Sequence, residues 1–75
     1  MNRYSSGVYT ILNRNGYEIE YTLDNQNYRQ PQDSLLTIYV SNILLVDSAY
    51  GATVFVSKIA NSKESVIGNT AYSPV

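Results

Sequence analysis

The stretch "NRNGYEIEYTL", residues 13–23, constrains this chain more than any other. From Tyr17 onward Tyr, Ile, Tyr and Leu alternate with Glu, Glu and Thr, a strict period of two. Such a period belongs to a β-strand, whose successive side chains point to opposite faces. The preceding "NRNG" carries turn chemistry: Asn13 can hydrogen-bond its own backbone, and Gly16 takes a positive φ without steric cost. Turn and alternation together predict a hairpin in which Leu12 opposes Glu18, Ile11 opposes Ile19, Thr10 opposes Glu20 and Tyr9 opposes Tyr21. One face then holds Tyr9, Ile11, Tyr17, Ile19, Tyr21 and Leu23, and the other sets Val8, Thr10 and Leu12 against Glu18, Glu20 and Thr22. Directly opposed aromatic and β-branched pairs stabilise a sheet by ~0.2–1 kcal/mol each, so Tyr9, Ile11, Ile19 and Tyr21 read as core, while Tyr17, near the turn, is a better candidate for contact.

The rest of the chain continues in β style. Residues 24–34 are rich in amides, contain a Pro and have no apolar residue except Tyr28, which reads as a long loop. Residues 35–46 leave helix and strand both open. Asp33 or Ser34 would cap a helix, but Thr37, Ile38, Val40, Ile43 and Val46 are β-branched and favour a strand. A bulge or turn is expected at Ser41-Asn42. Residues 53–60 are apolar at most positions up to Ser57, the pattern of a strand buried on both faces. "SVIGNTAY" reads as a last strand, and Pro74 ends any ladder. The expectation is one all-β domain over residues 1–75, with flexible ends at 1–6 and 73–75. It is a small five- to six-stranded antiparallel barrel or compact sandwich built from hairpins.

A domain of 75 residues has a marginal core and commonly adds a staple. The chain has no Cys and no His, which excludes disulfides and the usual zinc sites and leaves association as the staple. Its surface chemistry points the same way. Only 15% of residues are charged and the formal net charge is −1, while Asn, Ser, Thr and Gln supply 25 positions and Tyr another eight. A neutral surface repels itself weakly, and Tyr is enriched where protein surfaces meet. The start "MNRYSSGVYT" lacks the apolar core of a signal peptide, and the longest aliphatic run, "ILLV", is far too short for a transmembrane helix. The chain is therefore expected to be a whole small gene product, cytoplasmic or virion-associated, with no membrane partner.

Catalytic chemistry finds little support. Activating a Ser or Thr nucleophile needs a base, most often His. The neighbours Ser57-Lys58 and Ser62-Lys63 point to opposite sides of an extended backbone. Glu18 and Glu20, about 6.5–7 Å apart along a strand, are explained by the solvated face of the alternation. Asp24, Asn25, Asn27 and Asp33 do not follow the spacing of a calcium loop. Neither a catalytic residue, a metal ligand nor a cofactor is expected.

The expected function is therefore non-enzymatic. It is that of a small β subunit docking onto itself or a larger scaffold, as a capsid-decorating or tail-connecting protein of a virus or phage particle would. Candidate protein-contact residues are Tyr17, Tyr28, Tyr50 and Tyr72 with Arg14 and Arg29, and the 24–34 loop and the chain ends would serve as docking arms that order on assembly. Two other classes compete with this reading. A small nucleic-acid-binding barrel would stack bases on Tyr17, Tyr21 and Tyr28 beside Arg14 and Arg29, but five dispersed cations give no basic footprint. An inhibitor or adaptor of one host protein would instead be a monomer with one partner.

Overall fold

A computed structural model describes residues 1–65 and 73–74. The chain is all-β. Its strands are β1 (Asn2–Asn13), β2 (Ile19–Leu23), β3 (Gln26–Gln30), β4 (Ser34–Val46), β5 (Val54–Ala60) and the two-residue β6 (Ser73–Pro74). They form one antiparallel sheet in the order β5-β1-β4-β2-β3-β6, with 3₁₀ turns at Ser48–Thr53 and Lys63–Ser65. The sheet is open, and β5 is its far edge among the described residues.

The alternation placed most side chains on the right face but not the partners: Val8, read on the polar face, is fully buried, and Tyr17, read beside the core residues, is 65% exposed. Tyr9, Ile11, Ile19, Tyr21 and Leu23 all enter one core, joined by Ile38, Val40, Leu44 and Val46 of β4. Yet β1 and β2 do not pair. Strand β1 runs along β4 from Asn2↔Val46 to Asn13↔Ser34, and β2 meets β4 at Tyr21↔Val46 through Leu23↔Leu44. The expected hairpin is replaced by an arch over 14–18. Its turn chemistry is as read: Asn13 Oδ1 accepts from the Asn15 N–H at 2.8 Å, and Gly16 has φ 86°. The ladder with β4 joins eleven residue pairs, whereas the hairpin offered only a few. Each cross-strand pair adds stabilisation, so the longer ladder wins.

Strand β4 spans the ambiguous segment, with its irregularity where expected. Ser5 pairs with Ile43 and Gly7 with Val40, leaving Ser41 and Asn42 opposite Ser6. Asp24 holds this bulge: its carboxylate accepts from the N–H groups of Ser41 (2.9 Å), Asn42 (2.7 Å) and Ile43 (3.0 Å). Burial pushes the Asp24 pKa up, but these three backbone hydrogen bonds outweigh it and hold the carboxyl below its ordinary value.

Several expectations are corrected. Residues 24–34 are not a loop: Asp24 and Asn25, at φ 50° and 68°, make a two-residue turn with both centres left-handed, and β3 follows directly. The β2–β3 connection is thus the tight hairpin, not β1–β2. The N-terminal end is paired from Asn2 onward, and Ser73 and Pro74 pair with Arg29 and Tyr28. Strand β5 is not buried on both faces, because it stands at the edge with Phe55 and Ile59 about half exposed. Most of the "SVIGNTAY" strand falls outside the described residues.

Two amides are fully buried where the sheet curls back on itself. Gln30 Nε2 donates to the carbonyl of Ile11 at 2.8 Å and of Ser34 at 3.1 Å, and Gln30 Oε1 accepts from the Tyr21 hydroxyl at 3.1 Å. Asn13 Nδ2 donates to the carbonyls of Tyr17, Gln30 and Pro31 at 3.0–3.2 Å. These bonds tie β1 to β3, which are not neighbours in the sheet. A buried polar group is tolerated when its hydrogen bonds are made, and here they also fix the curl.

Candidate docking surface

Strands β5, β1 and the first half of β4 lie side by side and turn one face away from the core. Register places Leu35, Leu12 and Phe55 in a row across the three strands, then Thr37, Thr10 and Ser57, then Tyr39, Val8 and Ala60. None of these nine side chains is charged, but Val8 is fully buried, so the exposed part of this face lies toward Leu35 and Phe55. Leu35 is 62% exposed and Phe55 47%, with the partly buried Leu12 between them. Ile59, 51% exposed, is the extra residue of a bulge, since Tyr9 pairs with Lys58 and Val8 with Ala60.

Lys58 turns away from this surface. Its ammonium stands 6.0 Å from the Tyr9 ring centroid, and its stem crosses Gly7. A Cβ at Gly7 would lie 2.6 Å from Lys58 Cε and 3.0 Å from the Ala60 carbonyl oxygen, and φ there is 149°. Only glycine suits that position. At the far end of the face Lys63 Nζ stands 5.7 Å over the Tyr39 ring.

The residues singled out from sequence are distributed differently. Tyr17 (65% exposed) and Arg14 belong to the 14–18 arch, which the Arg14 N–H ties to the Thr53 carbonyl at 2.8 Å. Tyr28 is not a free loop residue: it lies in β3 and packs against the core, with its hydroxyl 3.4 Å from Gln26 Oε1. Arg29, its neighbour, faces the other way and opposes Glu20. Tyr50 packs against the core, and its hydroxyl accepts from the Glu20 N–H at 3.1 Å. Arg29 and Tyr50 are thereby brought to the two sides of Glu20, while Arg14 and Tyr17 stay on the arch. Tyr72 lies outside the described residues.

An open cleft of about 260 Å³ adjoins Tyr50, lined by Glu20, Thr22, Asn27 and Asp47 among others. The Thr22 hydroxyl is committed to Asn27 Oδ1 at 2.8 Å, and one Asp47 oxygen accepts from the Ala49 N–H at 2.9 Å. Glu20 is exposed. These bonds are turn and cross-strand chemistry. Among the described residues no three acidic side chains converge as a metal site requires, and no helix is long and apolar enough to cross a membrane.

Sequence reasoning did not single out Leu12, Leu35, Phe55 or Ile59. Leu12 carried a signal, because an apolar residue on what was read as the polar face has to be covered by something. No protein family, curated protein or solved structure matches the chain.

Proposed function

We propose that the protein is a non-enzymatic assembly subunit, docking onto itself or a larger scaffold through the outward face of β5, β1 and β4. The observation that carries this reading is the uncharged row of Leu35, Leu12 and Phe55, exposed at Leu35 and Phe55 and ending at β5, the sheet edge among the described residues. Interface cores are depleted of charge and enriched in aromatic residues. An edge strand offers unpaired backbone donors and acceptors to a further chain. The curled sheet would act as a compact sandwich-like body, and leaving it open keeps β5 available. A capsid-decorating or tail-connecting role in a virus or phage particle suits a short, neutral β chain best.

The experiment is absolute mass by light scattering across a roughly hundredfold range of concentration, since mass action must shift any association. A discrete oligomer is the expected result. A monomer at every concentration that also fails to co-sediment with particles from its source would refute the reading.

A further inference from the structure

We propose that the partner at the β5 edge is a second copy of this chain, paired antiparallel about a two-fold axis at Ser57. This rests on the assembly reading above and gives it a register.

The argument begins with the symmetry of "VFVSKIA", β5 itself. Its two exposed large apolar residues, Phe55 and Ile59, stand two positions either side of Ser57. When two such strands run antiparallel with Ser57 opposite Ser57, Phe55 of each copy opposes Ile59 of the other. Directly opposed aromatic and β-branched residues are among the pairs that stabilise a sheet. The two-fold makes the contact twice, as an isologous interface requires. In the same register Lys58, the one charged residue of β5, opposes Val56 of the second copy rather than its own equivalent.

The row already present in each protomer continues across the axis. Leu35, Leu12 and Phe55 are in register on β4, β1 and β5, and Ile59 of the second copy extends the row by one strand. Edge strands are usually guarded by lysine and by bulges that turn the edge away. Here the lysine is folded back over Tyr9 and Gly7, and the bulge residue is the apolar Ile59. Neither guard sets a charge on the Phe55 row. With a formal net charge of −1 on each chain, long-range repulsion between two copies is small.

The chain has no cysteine, so Ser57→Cys introduces its single thiol. Opposed Cα atoms in an antiparallel pair are about 4.5–5.5 Å apart, inside the window a disulfide spans. Under mild oxidation Ser57→Cys should form a covalent dimer roughly tenfold faster than Ser48→Cys, an exposed control in the 3₁₀ turn. Phe55→Lys and, separately, Ile59→Lys should each weaken the dimer by roughly a hundredfold with the far-UV circular dichroism unchanged. An oligomer in which Ser57→Cys crosslinks no faster than the control overturns the β5 pairing and leaves the assembly reading standing. A wild-type monomer at all concentrations also overturns the pairing, and co-sedimentation with a larger particle then decides the assembly reading by itself.

Discussion

Asn13 does three jobs with one side chain. It closes the turn to Asn15, receives the end of β3, and lets a fully buried amide find partners on Tyr17, Gln30 and Pro31. Truncating it leaves carbonyl oxygens without their donor inside the fold, which costs more than an average hydrogen bond contributes. Asn13→Ala should lower stability by about 2–4 kcal/mol, read from urea denaturation followed by tyrosine fluorescence. Thr22→Ala, at a hydrogen bond on the surface, is the comparison and should cost under about 1 kcal/mol. Equal losses at the two positions would mean that the buried network contributes nothing special.

Among the elements, β4 is bent by a residue outside it. The Asp24 carboxylate spans three successive N–H groups at the bulge, so the β2–β3 turn and the middle of β4 are one unit. Its pKa is held below the ordinary 3.8, which fixes the sign of the pH effect. Above 3.8 the carboxylate is charged in both folded and unfolded chains and its stabilisation is complete. As the pH falls through 3.8 the unfolded chain takes up the proton first, and the contribution is lost by the time the pH passes the lower folded value. The urea midpoint of the wild type should therefore fall in that acid window more steeply than that of Asp24→Asn. Parallel curves would contradict the role given to the carboxylate. What was legible in the sequence, and what was not, divides at this same level. Period two assigns faces, so Tyr9, Ile11, Ile19, Tyr21 and Leu23 were readable as core. Pairing is not assigned by period, because a local hairpin and a long ladder with β4 bury the same faces. The Asp24-Asn25 turn lacked the glycine that usually announces both-left-handed turns. The apolar run in β5 resembled a strand buried on both faces, since nothing local tells an edge from a centre. Of the docking surface, the polar and aromatic candidates drew attention while the aliphatic row, defined only by register across three strands, did not.

For the whole molecule, low charge sets how association responds to solvent. An interface built from Leu, Phe, Ile and hydroxyls has little for salt to screen, whereas phosphate binding releases counterions and weakens steeply with salt. The dissociation constant of the proposed dimer should change by less than roughly threefold between about 0.05 and 0.5 M sodium chloride, measured by sedimentation equilibrium. A loss of roughly tenfold or more over that range would assign the contact to charges, and Arg14 and Arg29 would then be the residues to change.

The place of β1 in the sheet also governs when the fold can form during synthesis. Of the six strands β1 is made first, yet both its neighbours, β4 and β5, are made only after β2 and β3, and its first residue waits for Val46. Until then only the β2–β3 hairpin can close locally, because its two strands are joined by two residues. Val8, Ile11 and Leu12 stay uncovered for most of translation, with the sheet's central template complete and unoccupied. Non-local ladders close slowly, and unpaired apolar strands are what neighbouring nascent chains capture. On a polysome, a chain that paired edge to edge with its own kind, as proposed above, would meet other copies at the stage when its first strand is most open to the wrong one.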